Sequence, residues 1–117
     1  MAIIARARAV LATMSEAERI AVLNAHPRIG TSTGLSARSA AEQGAGTTDR
    51  ATLDALERLN AEYERAFGFR FVVFVHGRTR ADIVPVFEAR LGRTRDDELA
   101  TGIEEFLAIA RDRMERS

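Results

Sequence analysis

The 117-residue sequence contains no cysteine, and all 17 of its basic residues are arginine, so lysine is missing too. The first absence excludes thiolate nucleophiles, cysteine-ligated zinc, iron–sulfur clusters and disulfides together. The second removes the side-chain amine needed for a Schiff base to a carbonyl substrate or to pyridoxal phosphate. Charge of one sign is also lacking: 17 acidic residues balance the 17 arginines. No stretch interleaves basic with aromatic residues as a nucleic-acid groove requires, so nucleic acid is not an expected partner. There is no long apolar run either, since Arg6 and Arg8 interrupt the N-terminal apolar stretch before it can span a membrane or act as a signal peptide. The expected location is the cytoplasm, with no membrane partner. The two histidines, His26 and His76, fall in no metal-ligand spacing such as H-E-x-x-H, so no metal site is expected. What is left is chemistry by His, Asp, Glu, Ser, Thr, Tyr and Arg.

At 46% hydrophobic residues, 117 residues suit one domain, residues 1 to 117, with one core. Ile3, Ala7, Val10 and Leu11 form the apolar stripe of a first helix, with Arg6 and Arg8 off it. Ser15 and Glu18 make a capping box for a second helix, which continues through Ile20, Leu23 and Asn24 until Pro27 ends it. Residues 30 to 48 form a loop rich in Gly, Ser, Thr and Ala, with at most one short helix around Ser36 to Gln43; so long a loop in a compact domain is often functional. Leu53, Leu56, Asn60, Tyr63 and Phe67 share one face of a helix from Asp49 to Phe67, and Gly68 stands where a left-handed C-terminal cap belongs. Phe69 to Val75 is a nearly continuous apolar run, a buried extended segment for which no partner strand is evident. Its N–H and C=O groups must therefore meet loops, helix ends or a ligand. Thr79 and Asp82 cap a helix carrying Ile83, Val86, Phe87 and Leu91, with Pro85 in its early turns as a source of distortion and Gly92 after it. A last helix begins after Thr94, places Asp96, Asp97 and Glu98 at the positive end of its dipole, and runs through Leu99, Ile103, Phe106, Leu107 and Ala110 to Arg111 and Arg113. The expected class is all-α, a helical bundle with one short extended segment.

Candidate chemistry centres on His26-Pro27-Arg28-Ile29-Gly30 and Ser39-Ala40-Ala41-Glu42-Gln43. A lone histidine is ordinarily solvated or satisfied in a core; His26, held at a helix end with a proline behind it, has a fixed backbone and a ring placed to project into a cleft. His76, beside Gly77, reads as a surface turn residue. Glu42 is distinguished only by Ser39 and Gln43 around it in a loop of small residues. Arg113 fits both a solvated helix end and a bidentate clamp for a substrate carboxylate.

Three segments, H-P-R-I-G at 26 to 30, L-S-A-R-S-A-A-E-Q at 35 to 43 and L-N-A-E-Y-E-R-A-F-G-F at 59 to 69, together resemble the 2-oxo-4-hydroxy-4-carboxy-5-ureidoimidazoline (OHCU) decarboxylase family. F-V-V-F-V-H-G-R-T and I-A-R-D-R-M follow the same pattern, so the resemblance runs from about Ser15 to Met114. It implies a cofactor-free decarboxylation of the ureidoimidazoline, a small-molecule substrate, to (S)-allantoin in urate breakdown. By the same resemblance His26 is the catalytic acid/base, with Glu42 and Arg113 as catalytic partners. Pro27, Ser39 and Gln43 would line the substrate, and the Phe71 to Val75 segment, including Phe71 and Val73, would lay its backbone against the substrate ring while its side chains pack. The family usually carries further helices ahead of this chain's first; their absence would leave apolar surface for a second copy, so a homodimer is expected. Arg70 stands where the family commonly has proline, His76 where a basic residue is frequent, and Ala108 where an arginine often precedes the last turns. Two other readings remain at this point: a non-catalytic helical module that binds a partner, and a related cofactor-free enzyme acting on another ureido or heterocyclic acid.

Overall fold

The computed structural model describes residues 2–30 and 50–116. Among these residues the chain forms α1 (Ala2–Thr13), α2 (Glu16–Asn24), α3 (Arg50–Phe67), α4 (Arg80–Leu91) and α5 (Arg95–Arg116), with no β-strand. The all-α class read from the sequence is the observed one. The long α5 packs against α1 and α2, while α3 pairs with α4. Residues 69–75 cross the interior as an extended segment, with Phe69, Phe71, Val72, Val73 and Val75 buried.

Local signals set most of the boundaries. Ser15 accepts the Glu18 N–H while Glu18 accepts the Ser15 N–H, and Thr79 and Asp82 do the same at the start of α4. Gly68 closes α3 with φ +82°, the left-handed cap expected there. Pro85 sits inside α4, and the helix continues through it to Leu91. The turn after the extended segment places both His76 and Gly77 at positive φ, with His76 exposed.

Packing corrects one expectation and adds one feature that the sequence does not reveal. The inward stripe of α1 is Ile4, Ala7 and Leu11, whereas Ile3 and Val10 are 58% and 50% exposed. With apolar residues at both 3 and 4, and at both 10 and 11, periodicity admits two stripes about 100° apart, and only contact with α5 selects one. Glu98, one of the three acidic residues in the first turn of α5, is fully buried. Its Oε1 accepts from the Tyr63 hydroxyl at 2.6 Å and from Arg90 Nε at 2.8 Å, and its Oε2 accepts from Arg93 NH1 at 2.9 Å. Burial of a carboxylate is tolerable because charge-assisted bonds replace its water.

Tyr63 is the centre of the core. Its ring packs edge-on or tilted against Phe67, Phe69, Phe71 and Phe87 at centroid distances of 4.6 to 5.9 Å, and Phe71 stacks on Phe87 at 3.7 Å. The extended segment satisfies backbone groups through side chains rather than a partner strand. The Arg70 N–H donates to Asn24 Oδ1 at 2.9 Å, Val72 C=O accepts from Arg90 NH1 at 2.7 Å, and the Phe74 N–H donates to Glu105 Oε1 at 3.1 Å. Arg78 donates to the carbonyls of Phe74 and Val75 at 2.6 and 2.9 Å.

Candidate active site

His26 is fixed from several directions. Helix α2 stops at Asn24, Ala25 forms its C-cap, and the His26 N–H still bonds back to Leu23 C=O at 3.1 Å. Arg70 NH1 donates to the carbonyls of Asn24 and His26 at 2.8 and 2.9 Å. Two residues on, Arg28 grips Glu64 of α3 with two bonds, 2.6 and 2.8 Å. That hydrogen bond is the main reason the Glu64 carboxyl is held below its ordinary range, with the charges of Arg28 and Arg70 adding to it against partial burial. Asn60 then donates to Ile29 C=O at 3.0 Å, and Gly30, at φ +89°, lets Leu56 approach within 3.1 Å of where a Cβ would stand. The H-P-R-I-G segment is thus tied at nearly every residue.

Helix α5 supplies the other wall. At Gly102 a Cβ would lie 2.9 Å from the buried Leu23 side chain, so the glycine sets how closely α2 approaches α5. Phe106 and Arg113 follow Gly102 by four and eleven residues, steps of about one and three whole helical turns, so they share its face. The His26 ring meets Phe106 edge-on, with centroids 5.3 Å apart and planes at 83°. Together Val22, Ala25, His26, Pro27, Phe106 and Arg113 line one solvent-open cleft of about 520 Å³. The neighbouring charges of Arg113 turn elsewhere: Arg111 pairs with Glu115 and Arg116 with Asp112, each at 2.9 Å.

Of the residues expected in the site, His26, Pro27 and Arg113 are brought together in this cleft. Glu42, Ser39 and Gln43 lie outside the described residues. Phe71 and Val73 point their side chains into the core, at 2% and 8% exposure, and do not line the cleft. Phe106, Val22 and Ala25 were not anticipated there. Phe106 reads in sequence as one more member of the inward stripe of the last helix, and nothing local separates a core phenylalanine from one that faces a histidine. A second cavity of about 590 Å³ lies between the H-P-R-I-G segment and α3, lined by Arg28, Gly30, Asp54, Asn60 and Glu64 among others, and contains neither His26 nor Arg113. No group of three or more metal-ligating side chains occurs among the described residues. No helix among them is long and apolar enough to cross a membrane.

A helical bundle that opens an imidazole, a guanidinium and an aromatic ring onto one cleft has, by class, the chemistry to hold a small molecule and exchange a proton with it. The sequence matches the family described as OHCU decarboxylase over residues 1–115, and the chain belongs to that family. A 2-oxo-4-hydroxy-4-carboxy-5-ureidoimidazoline decarboxylase of Haloferax volcanii is 31% identical over 103 residues, covering 86% of this chain and 61% of its own length. The Bacillus subtilis uric acid degradation bifunctional protein PucL is 34% identical over 96 residues, 80% of this chain but 19% of that protein. The chain therefore spans 61% of the one relative's length and 19% of the other's. Among solved structures, an OHCU decarboxylase crystallised in the presence of (S)-allantoin superposes with a TM-score of 0.82 at 27% identity, over 97% of this chain and 77% of the other.

Proposed function

We propose that this chain decarboxylates 2-oxo-4-hydroxy-4-carboxy-5-ureidoimidazoline to (S)-allantoin in urate breakdown, without a metal or organic cofactor. The observation that carries the reading is the meeting of His26 and Arg113, from distant parts of the sequence, in one cleft of a chain that belongs to the OHCU decarboxylase family. In the reaction the bond from ring carbon to carboxylate breaks, carbon dioxide leaves, and the electron pair moves into the ring as the adjacent imine accepts charge on nitrogen. The ring nitrogen takes up a proton, the hydroxyl on the decarboxylated carbon gives one up as it becomes the ring carbonyl, and one proton goes to one face of the carbon that bears the ureido group. His26 is assigned as the acid/base group of this sequence, and Arg113 holds the anionic or carbonyl oxygens. Glu42 accepts ring or ureido N–H bonds, with Ser39, Gln43 and Pro27 completing the lining. Phe71 and Val73, whose side chains are buried in the core, take part in this reading through their backbone alone, laid against the substrate ring. Orientation by several fixed groups is what turns proton delivery into a single enantiomer.

The test is to generate the substrate freshly from urate with uricase and hydroxyisourate hydrolase, add the purified chain, and follow (S)-allantoin by circular dichroism. Rapid chiral product that His26→Ala abolishes is the expected result; slow racemic product from both proteins would overturn the reading. The active form in this proposal is a cytoplasmic homodimer, supported by Ile3, Val10 and Met114, which are exposed on α1 and α5. Sedimentation equilibrium that finds only monomer at assay concentration would exclude it.

A further inference from the structure

We infer that Arg70 is a positioning residue for His26. The inference rests on the proposed acid/base role of His26. Three bonds carry it: the Arg70 N–H to Asn24 Oδ1 at 2.9 Å, and NH1 to the carbonyls of Asn24 and His26 at 2.8 and 2.9 Å. All three run from the extended segment to Asn24 and His26, so this one residue fastens that segment to the stretch of backbone that carries the imidazole.

The site needs such a fastening. Helix α2 is only nine residues long; the carbonyls of Ala21, Val22 and Leu23 accept from the N–H groups of Ala25 and His26, and the carbonyl of Asn24, its last residue, accepts from the Arg70 side chain. The guanidinium satisfies that carbonyl and, just past the helix, the carbonyl of His26, and its charge suits the negative end of the helix dipole. Phe106 meets the imidazole through ring contact, which limits where the ring lies but does not hold the backbone that carries it. On the far side, Arg28 and Asn60 tie residues 28 and 29 to α3. Arg70 bonds the His26 carbonyl while the His26 N–H bonds Leu23, so the two together hold the backbone of His26 ahead of Pro27. The charge of Arg70 also reaches Glu64, the partner of Arg28, so the two guanidinium groups bracket the H-P-R segment. Both carbonyl bonds use NH1, so an ammonium carried to that point makes the same contacts, and lysine is the conservative substitute.

Arg70→Met and Arg70→Lys test this with two readouts. The chain has only two histidines, so imidazole resonances report His26 against His76 as an internal control. In Arg70→Met the His26 resonances are expected to shift or broaden while those of His76 stay, and kcat is expected to fall on the order of 10- to 100-fold with KM little changed. Arg70→Lys is expected to restore both in large part. Should Arg70→Met fail to fold, Asn24→Ala, which removes one of the three acceptors, takes its place with the same direction and a smaller effect. A lowered Tm with His26 resonances unmoved, or an unchanged kcat in a wild-type background that makes chiral allantoin, would overturn the inference and leave Arg70 a helix cap. If wild type makes no chiral allantoin, the functional reading fails, and the resonances alone still decide whether Arg70 positions His26.

Discussion

Arg90 and Arg113 carry the same guanidinium into opposite surroundings. Arg90 is 7% exposed, donates to Glu98 and to Val72 C=O, and lies 4.4 Å from the centroid of the Phe71 ring. Arg113 is half-buried and lines a cleft open to solvent. Around Arg90, Tyr63, Glu98 and Val72 form a buried network, whereas Arg113 shares the wall of its cleft with Val22, Ala25 and Phe106. A charged group buried among complementary partners fixes a fold, and the proposed function assigns the one at the cleft wall to the substrate. The difference lies in what the neighbouring helices bring, since both arginines sit on helices with acidic residues nearby in sequence.

The sharpest way to break this comparison is to remove each guanidinium in turn. Arg113→Met is expected to slow chiral allantoin formation about 10²- to 10³-fold, as loss of a charge-stabilising donor does, while changing unfolding free energy by no more than about 0.5 kcal/mol. Arg90→Met is expected to do the reverse, costing about 3–5 kcal/mol in urea unfolding because Glu98 is left as a buried charge short of a partner. Equal loss of stability in the two variants would erase the distinction. Gly102→Val tests the mutual approach of α2 and α5: overpacking against Leu23 should cost about 1–3 kcal/mol by thermal unfolding and reduce turnover, because it separates Phe106 and Arg113 from His26.

Smaller effects follow from titration. Burial, together with the hydrogen bond to Glu98, raises the pKa of Tyr63 above its ordinary 10.0. Since the folded value lies above the unfolded one, its contribution is complete below pH 10 and is lost as pH rises beyond it. Tyr63 is the only tyrosine, so near-ultraviolet absorbance should show phenolate appearing only together with unfolding, and Tyr63→Phe should remove that step. Glu64 titrates in the opposite sense. Its carboxyl is depressed by Arg28, so the stabilisation is present above the ordinary 4.5 and disappears as pH falls through the lowered value. Because this pair is partly exposed, Glu64→Gln is expected to cost at most about 1 kcal/mol at neutral pH, measurable as a flattened acid limb of Tm against pH.

Much of the fold was legible before any coordinates. The capping boxes at Ser15 and Thr79, the left-handed Gly68 and the inward face of α3 are short-range features, decided by hydrogen bonds and spacings within a few residues. The phase of α1 was not legible, because two adjacent stripes were equally apolar. Nor was the burial of Glu98, because an acidic residue in a first helical turn looks the same whether it faces water or an arginine from α4. Of the residues that line the candidate cleft, His26 stood out by its place before Pro27 at a helix end, and Arg113 chiefly by its likeness to a family pattern. That Phe106 would meet the imidazole, and that Arg70 would bond the His26 carbonyl, depended on contacts between α2, α5 and the extended segment.

By itself, then, the sequence determined the helices, the reach of each and the chemistry left open by the lack of cysteine and lysine, since propensity, capping and functional groups belong to residues and their near neighbours. Only tertiary structure decided which arginine is sealed and which lines the cleft. Burial and hydrogen-bond partners at that range are set where α2 meets α5 and α3 meets α4, and those meetings depend on packing between residues far apart in the chain.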